Sequence, residues 1–516
     1  MSLSPLDPST LPPAVDVSDN STALQAVDEV IDQGPFAATW ESLAGYTPPS
    51  WYRDAKFGIF IHWGAYSVPA FGNEWYPRTM YQQGTAAFEH HVTTYGPHRS
   101  FGYKDFLPHF TMERFDPAQW VGLFRCAGAQ YVVPVAEHHD GFAMYETARS
   151  RWHTGNIGPR RDVFRALLEA LDEAWLIRGA SSHRAEHWFY MNPGLAFDSD
   201  VHEPDYLDLY GPALRKEITP TERFLEDWLL RTVEIIDTYQ PQLLYFDTGI
   251  EEPSFEPYLR RLAAYYYNRA AQWQREVVIN HKWEAFRPGT AVVDLERGSL
   301  ASTSPTLWQN DTSVSRTSWC WVPDHDYKSA AELIAELADV VAKNGNLLLN
   351  IGPQADGTIA EEESALLEAI GDWLGVNGEA IYGTRPWLIH GEGPTRANAG
   401  PHSDGERTSY GSEDFRFTTM TEVGHDYVYA VALAPVSDRR VRVRSFGRGA
   451  GLLDRPIQEV RVLGHRGELA WELTDDALEV TLPAGLRATA GGPVVRIELA
   501  PASPHQRIDF FHGLGI

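Results

Sequence analysis

The chain has 516 residues, of which 43% are hydrophobic and 22% charged, and a formal net charge of −27. Its length calls for more than one core. So acidic a balance excludes a protein built to grip nucleic acid phosphates or to dock on anionic lipid, while a neutral or cationic small substrate fits.

Residues 1 to about 45 are rich in Pro, Ser and Asp, with a short helix over 22–31; the rest reads as an arm or a cap. Its start lacks the basic and apolar segments of a signal peptide, so a cytoplasmic setting is expected. Residues 57–62 read as a buried strand. Asp116-Pro117 then supplies a capping side chain followed by proline at the first helical position, and the helix runs to Gly128, a left-handed terminator. Cys126, in that pattern, reads as core; with Cys320 as the only other cysteine there is no disulfide framework. An apolar strand follows over 131–136. Asp162 caps a helix with Val163, Leu167 and Leu171 on one face, leading to a strand near 176–182. Helices over 221–239, 255–273 and 329–343 precede strands over 243–246, 277–280 and 346–351, and another short strand covers 291–293.

About seven apolar strands alternating with helices imply a parallel sheet covered on its outer side. Their number favours an α/β, (β/α)8-like TIM-type barrel. No Gly-rich dinucleotide fingerprint follows any strand. The eighth strand is not clear in the sequence, so the regularity of the barrel is left open. After Tyr382 the pattern turns to period-two alternation over 427–432, 441–443, 460–462, 478–482 and 495–499, which reads as an antiparallel β-sandwich. The expected organisation is an N-terminal extension over 1–45, a catalytic barrel over 46–385 and a C-terminal sandwich over 386–516. No apolar run is long enough to span a bilayer.

Active sites of such barrels lie at the C-terminal ends of the strands. There the sequence places His62, then Glu137-His138-His139-Asp140, Asp247, Asn280-His281-Lys282, and Asp294 with Glu296. Carboxylates, histidines and indoles at one mouth suit a glycosidase, which needs two carboxyl groups flanking the scissile bond. Asp247, directly after an apolar run, is the nucleophile candidate; its bland alternative is a loop cap in Asp247-Thr248-Gly249. Candidates for the acid are Glu296, Glu251, Glu252, Glu284 and Asp294. Glu74-Trp75, in a loop after the first strand, suits a sugar platform; Lys282 and Trp283 line the same mouth, or else Lys282 lies on the surface. A metal site of His62, His138, His139, Asp140 and Asp247 is a rival reading, although no helical His-Glu-X-X-His is present.

Several segments together resemble the α-L-fucosidases of glycoside hydrolase family 29. They are the run from Trp51 through Phe57-Gly58-Ile59-Phe60-Ile61-His62-Trp63-Gly64, then Glu74-Trp75-Tyr76, His138-His139-Asp140-Gly141-Phe142, and Asn344-Gly345-Asn346 through Asn350-Ile351-Gly352-Pro353. The resemblance covers roughly residues 50 to 385. It implies a retaining mechanism without metal or cofactor, through a covalent fucosyl-enzyme intermediate on Asp247. It also implies contacts from His62, Glu74, Trp75, His138 and His139 to the fucose. Three positions depart from the family: Tyr245 stands where many members carry Trp, His183 takes the place of a sugar-binding Tyr, and Lys282 replaces an Arg. Glu296 best fits the subgroup that places its acid/base there, and Trp319 and Trp321 are expected in the pocket wall. The implied partner is a fucosylated oligosaccharide or glycoconjugate. An α-L-galactosidase and an inactive sugar-binding barrel are the alternatives, and a homo-oligomer is left open.

Overall fold

The computed structural model describes residues 3–396, 399–405 and 408–501; residues 1–2 of the expected extension and 502–516 of the expected sandwich span lie outside it. Eight parallel strands close into a barrel: β1 (Phe57–Ile61), β2 (Tyr131–Glu137), β3 (Ile177–Ser182), β4 (Leu243–Phe246), β5 (Val278–Lys282), β6 (Val292–Asp294), β7 (Trp308–Ser313) and β8 (Gly345–Ile351). β8 pairs with β1, Gly58 opposite Leu348, so the ring has no free edge.

The eighth strand, unclear in the sequence, is β7, which has no apolar signal and completes the expected (β/α)8-like barrel. Its sequence is Trp-Gln-Asn-Asp-Thr-Ser, yet every residue is buried. The polar side chains are satisfied on both faces, which is the condition for burying them. Gln309 donates to Asp294 Oδ2 and accepts from the Tyr52 and Tyr131 hydroxyls inside the barrel, while Asn310 donates outward to Glu336.

The helices between strands form where the caps predict. Asp116 accepts from the backbone N–H of Ala118 and Gln119, Pro117 opens the helix, and Gly128 closes it at φ 91°. Cys126, on this helix, is exposed rather than core; the buried face carries Trp120, Val121, Phe124 and Ala127.

The N-terminal arm packs on its own barrel. The helix Ser21–Gln33 buries Val27, Val30 and Ile31 against the helix Glu256–Trp273, and Trp40 donates its indole N–H to Glu256. Earlier still, the Leu6 N–H bonds Asp105.

Beyond the barrel lie β9 (Arg385–Glu392), β10 (Phe415–Glu422), β11 (His425–Ala432), β12 (Arg440–Val443), β13 (Ile457–Val462), β14 (Ala470–Leu473), β15 (Leu478–Thr481) and β16 (Val494–Leu499). They form a five-stranded sheet ordered β13-β16-β11-β10-β9 and a three-stranded sheet ordered β12-β15-β14, all antiparallel. Phe417, Val428, Val441, Val480 and Ile497 belong to the core between them. β10 lacks a clean alternation because its first four residues are all buried: Phe415 and Phe417 enter the sandwich core, and Arg416 reaches Asp339 on the helix Ala330–Ala342 of the barrel. Among the described residues no helix is long and apolar enough to cross a membrane.

Candidate active site

β4 ends at Phe246, so Asp247 is the first residue past the strand, at the barrel mouth. The chain turns back two residues later at Gly249, whose φ of 100° favours glycine and where a Cβ would lie 2.8 Å from the Glu186 side chain. Two imidazoles converge on one carboxylate oxygen. His183 Nδ1 is 2.9 Å and His139 Nε2 3.3 Å from Asp247 Oδ2. Among the described residues no hydrogen bond reaches Oδ1, and the side chain keeps 16% exposure.

The bonds at the far side of each ring set its protonation. His183 Nε2 lies 2.6 Å from Ser181 Oγ, which can donate to it, so a neutral ring with its proton on Nδ1 serves both partners. Burial lowers the His183 pKa further than Asp247 raises it. His139 instead spends Nδ1–H on the His183 carbonyl at 2.6 Å, so its Nε2 needs a second proton to serve Asp247. Burial opposes that charge, but Asp247 and Glu186 outweigh it and raise the His139 pKa. Burial works against the Asp247 carboxylate too, yet the two histidines hold its pKa well below the ordinary aspartate value of 3.8.

Three more polar groups face the same space. His62 Nδ1 donates to Asn350 Oδ1 at 2.7 Å, leaving Nε2 as an acceptor. Asn350 also donates to the Trp319 carbonyl and Ser313 Oγ, tying the ends of β1, β7 and β8 together. His138 stacks on His183 with centroids 4.9 Å apart, and its buried Nδ1 has no partner among the described residues. Glu74 is buried and accepts the Trp319 backbone N–H at 2.9 Å; burial raises its pKa. Trp75 lies against His139, centroids 5.2 Å apart, and Trp319 against His62 at 5.1 Å. Both indoles are half-buried. Trp321 is also half-buried, but among the described residues no ring contact joins it to this cluster.

Across the mouth, Lys282 is 1% exposed and sits among three carboxylates: Asp311 Oδ1 at 2.7 Å, Asp294 Oδ1 at 3.0 Å and Glu296 Oε2 at 3.2 Å. Of the two alternatives left open for it, the surface one is excluded: Lys282 is buried beside Glu296. Tyr245 belongs to the same network through its hydroxyl, which donates to Asp311 Oδ2 at 2.9 Å. Burial, and behind it the charges of Asp311 and Asp247, raise the Glu296 pKa against the pull of Lys282. Glu296 keeps 18% of its side chain exposed, on a turn just past β6.

The other acid candidates have other work. Asp294 is fully inside the barrel, bonded by Gln309. Glu252 accepts from Ser254 N–H at 2.9 Å as a helix cap. Glu251 accepts the Gly249 N–H, and Glu284 and Trp283 are exposed. Asp140 turns away from the mouth to accept from Tyr103 and the Phe142 N–H, so the five-residue metal set does not assemble. Two other sets bring ligand atoms within 4.8 Å of one another: His62, His138 and His183, and His139, His183 and Asp247. Their imidazoles and carboxylate suit a divalent transition cation.

Ser181, Glu186, Arg297, Asp311 and Asn350 were not singled out by sequence. Position could have found Asn350, at the end of a strand. Asp311 lies on the strand that gave no signal, and the Arg297 guanidinium, 4.6 Å over the Trp319 ring, is a contact that no motif carries.

The α-L-fucosidase family model matches residues 23–379. This chain belongs to the α-L-fucosidase family. It is 30% identical to the plasma alpha-L-fucosidase of Pongo abelii, over 87% of this chain and 89% of that one. Identity to the tissue alpha-L-fucosidase of Rattus norvegicus is 33%, over 87% and 88%. The structure matches a Thermotoga maritima alpha-fucosidase solved with a mechanism-based inhibitor at a TM-score of 0.69, with 27% identity, covering 90% of this chain and 99% of that one. The α-L-fucosidases are glycoside hydrolases of family 29, and the eight-stranded barrel with antiparallel sheets behind it is the architecture shared with those structures.

Proposed function

We propose that this α-L-fucosidase is exo-acting and retains anomeric configuration, removing terminal α-L-fucosyl residues from oligosaccharides or glycoconjugates by two displacements. The observation that carries the proposal is the convergence of His139 and His183 on Asp247 Oδ2, which keeps the carboxylate ionised and leaves Oδ1 for the anomeric carbon. A solved relative from Thermotoga maritima, described as being in complex with fucose, supports the same sugar here.

In the first step Asp247 attacks the anomeric carbon, the glycosidic C–O bond breaks, and Glu296 passes its proton to the departing oxygen. In the second, Glu296 takes a proton from water, the water oxygen bonds the anomeric carbon, and Asp247 leaves. Lys282 lies 3.2 Å from Glu296 Oε2 and steadies the carboxylate that exists between the steps. His62, His138 and Glu74 present an imidazole acceptor, an unsatisfied imidazole nitrogen and a carboxyl group to the sugar hydroxyls. Trp75 and Trp319 give the C5 methyl an apolar corner.

The test is to follow an aryl α-L-fucoside by proton NMR and read the anomer released before mutarotation. α-L-Fucose is expected, and β-L-fucose would sink the double displacement. Asp247→Ala should fall by at least about a thousandfold in kcat while keeping its fold.

A further inference from the structure

Glu296 stands on a loop that the barrel does not hold alone. Residues 400–404, between β9 and β10 and some hundred residues later in sequence, lie along it. Gly400 N–H donates to the Ser299 carbonyl at 2.8 Å and Ser299 N–H returns a bond at 3.3 Å. His402 N–H donates to the Glu296 carbonyl at 2.8 Å and Asp404 N–H to the Arg297 carbonyl at 3.1 Å. These four backbone bonds lock the two loops in register.

Asp404 anchors the segment from the inside. Its Oδ2 accepts from Lys328 Nζ at 2.7 Å and Thr312 Oγ1 at 2.9 Å, and meets Arg297 Nη1 at 3.4 Å. Arg297 in turn lies over Trp319. His402 is itself one of the paired positions, through its backbone N–H. Its φ is 54°, a left-handed conformation uncommon outside glycine, and its side chain is 57% exposed. Nδ1 is 4.0 Å from Glu296 Oε1, while Lys282 occupies the other oxygen, Oε2. An exposed ring held in a strained backbone beside a reacting group needs a cause, and strain of this kind clusters where a ligand is clamped.

We propose that the segment 399–405 forms the leaving-group side of the active site, with His402 as a specificity-determining residue that hydrogen-bonds the hydroxyls of the sugar to which fucose is attached. This rests on Glu296 being the acid/base, because the proton donor stands where the departing oxygen leaves. An imidazole offers one donor and one acceptor, which suits adjacent sugar hydroxyls and offers little to an aryl group. Asp404 is a positioning residue that acts through the loop.

The experiment compares kcat/KM for a nitrophenyl α-L-fucoside and for an α-L-fucosyl-galactose disaccharide, in wild type, His402→Ala and Asp404→Asn. His402→Ala should lose about tenfold on the disaccharide, mostly in KM, and about threefold or less on the aryl fucoside. Asp404→Asn should shift the same ratio the same way with the ring still present; circular dichroism and thermal unfolding report whether it folds. Equal losses on both substrates, or none, would overturn the proposal. Azide added to Glu296→Ala tests the assignment beneath it. Acceleration upholds Glu296 as acid/base. Without acceleration that assignment falls and the leaving-group assignment of this segment falls with it, whereas acceleration with an unshifted His402 ratio ends the subsite proposal alone.

Discussion

At the scale of single residues, the site separates two carboxyl groups by their surroundings. Asp247 is held low by two histidines, and Glu296 is held high by burial and neighbouring negative charge. In the proposed mechanism the productive form has Asp247 ionised and Glu296 protonated. Activity therefore rises as Asp247 loses its proton, below pH 3.8, and falls as Glu296 loses its own, above pH 4.5, with apparent values that belong to the coupled pair. A kcat/KM profile should show that bell. His183→Phe removes the 2.9 Å bond and should move the acid limb to higher pH; an unmoved limb would mean that His183 does not hold the charge. The proposed double displacement calls for no metal, so dialysis against a chelator should leave the rate unchanged, and a loss restored by zinc would point to the three-histidine set instead. Asp247, His62, His138 and His139 were legible in the sequence because each follows an apolar run that ends at the mouth. Lys282 was harder: its partners Asp294, Glu296 and Asp311 come from three separate segments, so its burial depends on a network that spacing does not reveal.

Among elements, β7 shows where hydrophobic patterning loses its power. A strand is legible when its neighbours are apolar; β7 is buried by hydrogen bonds on both faces, and its letters resemble a loop. β10 was obscured for a related reason, its second face being covered by a barrel helix. The helix Glu361–Asn377 carries a test of how such burial is kept. Glu363, in its first turn, is buried and accepts the Gly352 N–H at 3.2 and 3.4 Å just past β8. Burial pushes its pKa up to about 8 from 4.5. The folded state thus binds a proton that the unfolded chain releases, and stability falls as pH rises from 4.5 through about 8. Glu363→Gln, which can accept the same bond, should raise the thermal midpoint at pH 8 and lose that advantage below pH 4.5. An equal effect at both pH values would contradict the assignment.

For the whole molecule, the barrel and the sheets behind it are coupled through buried charge as well as apolar contact. Asp339, on a barrel helix, accepts from Lys343 Nζ at 2.7 Å, from Ser299 Oγ at 2.8 Å and from Arg416 Nε of β10 at 2.5 Å. Removing the carboxylate would leave two buried cations without it. Asp339→Ala should cost about 3–5 kcal/mol in a urea titration, and a cost below about 1 kcal/mol would mean that water replaces it. The alternation of strands and helices, read from sequence, was enough for the barrel and for the antiparallel sheets after it. How the sheets reach back to residues 296–299 was not, because those contacts join positions about a hundred apart and follow only from the assembled fold. The arm's helix was legible in sequence, but its packing was not, for the same reason: its short apolar face has meaning only against the helix Glu256–Trp273.

In the proposed mechanism Asp247 forms the covalent bond and Glu296 moves the proton. The direct measurement is the anomeric configuration of the fucosyl azide formed from an aryl α-L-fucoside by two variants. In Asp247→Ala, azide takes the nucleophile's place and inverts once, giving the β-azide. In Glu296→Ala, azide attacks the fucosyl-enzyme and inverts a second time, giving the α-azide. That pair of products is the expected result. The β-azide from Glu296→Ala, or the α-azide from Asp247→Ala, would contradict the account.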